Sequence, residues 1–428
     1  MIAIYEGKHI GEFLKRLEVR REETSHEVRN AVYDILGSVK KHGDEALSRF
    51  TQEFDKVEIP EHGFRIPESE VEKAVASEDP EFLDVLMQSA ENIRRFHEKT
   101  KRRSWIEWEE DGVILGQRVL PLDRVGVYVP GGRAAYPSSL LMAVIPAQVA
   151  GVREIAVVSP PGSDGNVHPA ILSAASVMGL GEIYRIGGAQ AVAALAYGTE
   201  SVLKVDKIVG PGNLYVAEAK RQVFGVCDID MVAGPSEVVV LADGSANPDF
   251  IAADLLAQAE HDPSASAVCV TTSRELAAKT GKSVENQLES LQRKAIIAAS
   301  LKVWGGILRV DDMEEAIALV NRLAPEHLGL HTSNAWELVE SVRHAGAIFI
   351  GAYSPETVGD YWAGPNHILP TNTTARFSSP LNTDDFLKSS SIIAYSRTAL
   401  RKNADRIEQF ANREGLDGHA NAVRRRLG

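Results

Sequence analysis

Residues 233 to 262 decide the fold: Ala233-Gly-Pro-Ser-Glu-Val-Val-Val-Leu-Ala-Asp243, then a stretch that ends Leu255-Leu-Ala-Gln-Ala-Glu-His-Asp262. The turn at Gly234-Pro235-Ser236 feeds an apolar run, Val238 to Ala242, that is short and β-branched enough to be a buried strand. The residues behind it read as that strand's helix. On a helix, Gln258 and His261 stand three positions apart and share a face. A neutral imidazole is a favoured zinc ligand, and an amide oxygen is a harder, weaker one. The same pair also fits an ordinary polar face near a helix C-terminus, where His is welcome against the dipole. A metal reading therefore needs further ligands from elsewhere in the chain.

Upstream, Val125-Gly-Val-Tyr-Val-Pro-Gly-Gly132 runs from a strand into a glycine turn, and Ser138 to Ala150 follows as an apolar helix. The short apolar runs Ile155-Ala-Val-Val-Ser159, Ile183-Tyr-Arg-Ile-Gly187 and Lys207-Ile-Val-Gly210 come next, with helical segments between them. Downstream, the runs at 267–271, 307–310, 327–332 and 347–350 alternate with helical patterns in the same way. Strand and helix at this rhythm give two α/β units with mostly parallel sheets. Three turns are glycine-rich: Pro130-Gly131-Gly132, Gly187-Gly188-Ala189-Gln190 and Gly210-Pro211-Gly212-Asn213. Such turns at the carboxyl ends of parallel strands suit a nucleotide, and they equally serve tight strand-to-helix reversals. None is Gly-x-Gly-x-x-Gly, so the standard dinucleotide fingerprint is absent.

The bulk numbers bound these readings. At 428 residues the chain exceeds one simple core, and 44% hydrophobic with 25% charged residues matches a globular protein. A formal charge of -13 with scattered basic residues disfavours nucleic acid. The cluster Arg424-Arg425-Arg426 reads as a helix end complementing its dipole. Early charges at Glu6 and Lys8, and the lack of a membrane-length apolar run, point to a cytoplasmic protein with no membrane partner. Two cysteines, Cys227 and Cys269, far apart, exclude a disulfide framework and a Cys-rich zinc site. Any metal must be held by His, carboxylate and amide groups.

Chemistry-bearing residues cluster late in the chain. Ala324-Pro-Glu-His327 places a carboxylate and an imidazole side by side where a helix gives way to a strand. Ser354-Pro-Glu-Thr-Val-Gly-Asp360 and Gly364-Pro-Asn-His367 form an irregular polar segment of the kind that holds sites. Glu414-Gly-Leu-Asp-Gly-His419 repeats the acid-and-imidazole theme in the polar helical tail.

Together, Val-Gly-Pro-Gly-Asn at 209–213, Ala-Gly-Pro-Ser-Glu-Val at 233–238, Ala-Gln-Ala-Glu-His at 257–261, Pro-Glu-His-Leu at 325–328 and Gly-Pro-Asn-His at 364–367 resemble the histidinol dehydrogenase family. The motifs come in that family's order, and the resemblance covers nearly the whole chain. It implies two incomplete Rossmann-like, doubly wound α/β domains with small helical N- and C-terminal extensions. Residues 1–23 would be the first extension, 24–125 with 237–380 the zinc and catalytic domain, 126–236 the NAD-side domain, and 381–428 a helical extension swapped onto a partner subunit. The implied activity is oxidation of L-histidinol via L-histidinal to L-histidine with two NAD, in a homodimer holding one zinc per subunit. By motif, Gln258, His261, Asp360 and His419 would be the zinc ligands, with Glu326 and His327 the acid/base pair. Ser236, His367 and Glu414 would join His327 and the four zinc ligands in contacting substrate, and Tyr128, Gln190 and Asn213 would contact NAD. The alternative is an NAD-dependent dehydrogenase of another small polar alcohol on the same scaffold.

Overall fold

The computed structural model of the chain describes residues 2–21, 26–60, 63–131 and 135–428. Its strands are, in order, β1 (Ala3–Glu6), β2 (Trp105–Trp108), β3 (Ile114–Pro121), β4 (Arg124–Tyr128), β5 (Glu154–Ser159), β6 (Ile183–Arg185) and β7 (Lys207–Val209). There follow β8 (Asp228–Ile229), β9 (Glu237–Ala242), β10 (Ser266–Thr271), β11 (Gly306–Arg309), β12 (His327–His331), β13 (Ala347–Ile350) and β14 (Leu387–Ala394). Among the described residues, no helix is long and apolar enough to cross a membrane.

The run Glu237–Ala242 is buried along its whole length and lies inside a six-stranded sheet of order β1-β11-β10-β9-β12-β13. All five pairings are parallel. From β9 the chain winds outward through β10 and β11, then crosses to β12 and β13, so the strand order reverses between β9 and β12. A second parallel sheet, β6-β5-β4-β7-β8, is wound the same way and reverses between β4 and β7. Strands buried on both faces need apolar residues at every position, which is why these runs are continuous instead of alternating.

Helices cover both sheets on both faces. Helices Pro248–Ala259, Arg274–Leu288 and Lys294–Trp304 cover one face of the six-stranded sheet, and Lys8–Arg21 with Met313–Leu323 covers the other. On the five-stranded sheet, helix Pro137–Ala150 is apolar around its whole circumference because it is enclosed by strands and other helices. It ends at Gly151, whose φ of 100° lets two backbone N–H groups turn back onto Ala147.

The domain boundaries expected from the sequence change in three places. Helices His26–Asp55, Glu68–Ser77 and Pro80–Glu98 pack chiefly on the five-stranded sheet and its helices, although Ser89 of the third also reaches the Tyr361 carbonyl. Their apolar stripes, such as Leu86, Ala90 and Ile93, match the faces of Pro137–Ala150 and its neighbours. The N-terminal segment is no appendage, because β1 completes an edge of the six-stranded sheet and Phe13, Leu14 and Leu17 enter its core. The C-terminal segment carries a strand that was expected to be helical: β14 pairs antiparallel with β3, which also pairs with β2, in a third sheet. Beyond it, helices Arg397–Arg413 and Asp417–Leu427 pack chiefly on each other.

Candidate active site

Pairing of β9 with β12 sets His327 opposite Val238, which brings Glu326 beside Glu237 at the amino edge of the six-stranded sheet. There the Glu326 carboxylate accepts the Glu237 N–H at 2.8 Å. His327 Nδ1 lies 3.0 Å from the Glu237 carbonyl oxygen and 3.7 Å from Glu326 Oε2. A carbonyl can only accept, so Nδ1 carries the proton and Nε2 keeps its lone pair. That Nε2 is buried with no hydrogen-bond partner among the described residues. Burial pushes the His327 pKa down to about 4, helped by the neighbouring His261 and His367 and opposed by the Glu237 carbonyl. The imidazole is therefore neutral and its free nitrogen is available as a base.

Helix Pro248–Ala259 runs back from the far edge of the sheet, so its C-terminus returns to this same edge. Gln258 is 1% exposed in its last turn, and His261 follows just past the cap. With its carboxamide turned to suit its surroundings, the Gln258 nitrogen reaches the Glu237 carbonyl and Glu356 Oε2, each at 3.2 Å, and lies 3.3 Å from His327 Nδ1. Burial lowers the His261 pKa as well.

The segment 354–367 closes the site. Its short helix Glu356–Tyr361 puts Glu356 and Asp360 four apart on one face. Single ligand atoms of His261, Glu356 and Asp360 all lie within 4.8 Å of one another. His367 Nδ1 is 3.0 Å from the Asp360 carbonyl oxygen, and its Nε2 is 3.4 Å from Ser139 Oγ at the start of Pro137–Ala150. Through that helix, which follows β4, the amino edge of one sheet meets the carboxyl edge of the other. A cavity of about 780 Å³ is lined here by His327, Phe349, Asp360 and His367.

The electrostatics of the cluster are one-sided. Burial raises the Asp360 pKa to about 7. Glu356 is held well above the ordinary carboxylate range, first by burial and then by Asp360, Asp254, Glu326 and Glu260. Every charged neighbour that shifts it is an acid. Buried carboxylates gathered around neutral imidazoles form a site that a small cation would stabilise.

Glu326, His327, Gln258, His261, Asp360 and His367 thus come together, and half-buried Ser236 immediately precedes β9 at the same edge. In the single chain, Glu414 and His419 do not join them: both are exposed on the C-terminal helices. Tyr128, Gln190 and Asn213 gather at the carboxyl edge of the five-stranded sheet. The buried Tyr128 hydroxyl accepts the Gly188 N–H at 3.0 Å, and Gln190 Oε1 is buried without a partner among the described residues. Asn213 Oδ1 caps Leu214–Val223 by accepting from Tyr215 and Val216. Nearby, Gly210 has φ of 106°, and a Cβ there would stand 2.1 Å from the Tyr128 carbonyl oxygen, so only glycine fits. Gly132 of the first glycine turn lies outside the described residues. The sequence reading missed Glu356, although its spacing from Asp360 was a usable signal.

Two doubly wound sheets, with a buried acid–imidazole cluster where the edge of one meets the edge of the other, define a two-unit α/β enzyme. Comparison with known proteins narrows this further. Residues 18–427 match the family model described as histidinol dehydrogenase. The chain is 55% identical over 406 residues to the histidinol dehydrogenase of Geobacillus kaustophilus, covering 95% of each chain. It is 53% identical over 414 residues to that of Bacillus subtilis, covering 96% of each. Its fold matches the crystal structure of histidinol dehydrogenase from Elizabethkingia anophelis with a TM-score of 0.94 and 37% identity, over 100% of this chain and 98% of that one. The chain belongs to the histidinol dehydrogenase family, which is a family of oxidoreductases.

Proposed function

We propose that the chain oxidises L-histidinol through L-histidinal to L-histidine with two NAD, as the last step of histidine biosynthesis in the cytoplasm. The observation that carries this reading is the neutral, buried His327, whose Nδ1 is committed to the Glu237 carbonyl beside the Glu326 carboxylate while Nε2 has no hydrogen-bond partner among the described residues.

The residues fit zinc, since the His261 imidazole converges with the Glu356 and Asp360 carboxylates, Gln258 lies against Glu356, and the cluster holds an excess of buried acid. Gln258, His261 and Asp360 would hold it, with His419 supplied by a second copy of the chain. When bound, the ion would orient the amino alcohol and neutralise the cluster. His327 Nε2 takes the hydroxyl proton as hydride passes to NAD, and His327 releases that proton before the second oxidation. Glu326 deprotonates the water that hydrates the aldehyde, and His327 again serves as base for the second hydride transfer. Ser236 and His367 line the substrate side, and Glu414 of the second copy would meet the substrate's ammonium group. Tyr128, Gln190 and Asn213 mark the NAD side, where an incoming nucleotide would find the unpartnered Gln190 oxygen.

A homodimer is favoured by the arm formed from β2, β3, β14 and the last two helices. It exposes Trp105, Trp108, Ile393 and Phe410, more apolar surface than a free arm would carry.

The test is NADH formed per L-histidinol consumed, before chelation, after it, and after zinc is returned. About two NADH per histidinol, lost on chelation and restored by zinc, supports the reading. A fully metallated protein that reduces no NAD with histidinol sends the substrate assignment to other small alcohols.

A further inference from the structure

We propose that Glu356 is the positioning residue of the metal site: it takes one N–H of the Gln258 carboxamide and so fixes where the amide oxygen points. This rests on the reading of the cluster as a zinc site. A primary amide has two N–H groups and one oxygen. With the Gln258 carboxamide turned so that its nitrogen faces acceptors, that nitrogen lies 3.2 Å from the Glu237 carbonyl oxygen, 3.2 Å from Glu356 Oε2 and 3.3 Å from His327 Nδ1. The last carries its own proton toward the Glu237 carbonyl and cannot accept, which leaves two acceptors for two N–H groups. Only the oxygen remains to serve as a ligand, and rotation about the terminal torsion, which is otherwise soft, is blocked.

The contact also spans two elements. Gln258 belongs to Pro248–Ala259, whereas Glu356 shares the helix Glu356–Tyr361 with Asp360. Glu356 therefore ties the helix carrying one expected ligand to the helix carrying another. Its side chain is only 4% exposed and faces no cation among the groups that shift it, so no surface ion pair accounts for an acid at this position. Outer partners that orient a metal's ligands commonly alter affinity about 10- to 100-fold when removed.

The experiment uses the full-length protein stripped of metal, with Glu356→Gln and Glu356→Leu compared with wild type. Gln keeps an acceptor oxygen in the same place, while Leu has similar volume and none. Zinc affinity is measured by competition with a chromophoric chelator. The visible spectrum of the cobalt-loaded protein reports the ligand set, and circular dichroism confirms folding. The expected result is one zinc per subunit in wild type, about 10- to 100-fold weaker binding in Glu356→Leu, and recovery to within about 5-fold of wild type in Glu356→Gln. The cobalt spectrum of Glu356→Gln should match that of wild type. Wild-type affinity in folded Glu356→Leu overturns the inference while leaving the zinc reading intact. Equal loss in both variants with an altered cobalt spectrum also overturns it, by making Glu356 a direct ligand. A wild-type protein that takes up no zinc overturns the zinc reading itself, and the inference with it.

Discussion

His327 Nδ1 stands 3.0 Å from the backbone carbonyl oxygen of Glu237, and that contact decides which ring nitrogen can do chemistry. Because the carbonyl holds the proton on Nδ1, Nε2 keeps its lone pair and is the nitrogen that can serve as the proposed base. His327→Ala should therefore lower kcat by about 10²- to 10⁴-fold. Zinc content should be unchanged, because the ring lies outside the proposed ligand set. Steady-state turnover and metal analysis of the same preparation check both halves, and zinc loss in this variant would overturn the division of roles.

Gln258→Ala and His261→Ala should behave in the opposite way. Each removes a proposed ligand, so zinc occupancy after dialysis should fall at least about tenfold. Added zinc should restore part of the activity. A variant that retains full zinc but loses turnover would remove that residue from the ligand set.

Acid should release the metal well above the pH at which His327 titrates. Burial raises Asp360 to about 7, so in metal-free protein it is protonated below that pH and must lose its proton to bind zinc. Zinc affinity should fall roughly tenfold per pH unit below about 7 from this group alone, and level off above it. Stability carries the opposite sign. Asp360 ionises at 3.8 in the unfolded chain and at about 7 in the fold, so metal-free protein loses its contribution as pH rises through that window. Relative to wild type, metal-free Asp360→Asn should gain stability between those two values and hold a constant margin above. Thermal melts across pH check this.

A buried ion pair beside the Gly210 turn gives a stability prediction. Lys220 and Asp230 pair with side chains 2% and 1% exposed. Lys220 Nζ donates to the Gly210 carbonyl at 2.9 Å, and Asp230 Oδ2 accepts the Gly210 N–H at 2.8 Å. Lys220→Met strands a buried carboxylate and should cost about 3–5 kcal/mol. Adding Asp230→Asn removes that charge, so the double variant should be more stable than Lys220→Met alone in urea unfolding.

The fold was largely legible because strands buried on both faces are written as continuous β-branched runs, and β9 and β12 follow Val238–Ala242 and the run from His327 closely. What escaped was long-range. Nothing in the helical pattern of Pro80–Glu98 says which sheet receives it. Strand β14, with the sequence Leu387-Lys-Ser-Ser-Ser-Ile-Ile-Ala394, is too polar and too exposed to announce itself away from its partner β3. Lys220 reads as a solvated helix charge until the chain folds Asp230 against it. Of the candidate site, Glu326, His327, Gln258, His261 and Asp360, each singled out from a short motif, do come together in the fold. Glu356 was legible only through its spacing from Asp360; its contact with Gln258 exists only once another helix brings that side chain alongside it.

The exposed positions of Glu414 and His419 support a final prediction about assembly. If His419 completes the site of a second copy, His261→Ala and His419→Ala should each abolish activity as pure proteins. Mixing them under conditions that allow subunit exchange creates heterodimers with complementary sites. One site draws His261 from the His419→Ala chain and His419 from the His261→Ala chain, so it is whole. The other lacks both. Activity should therefore return on mixing, to at most about half that of wild type per heterodimer. Recovery should follow the rate of subunit exchange measured by native mass spectrometry. Confirmed exchange without recovered activity would place His419 outside the partner's site and leave the chain to complete its metal centre alone.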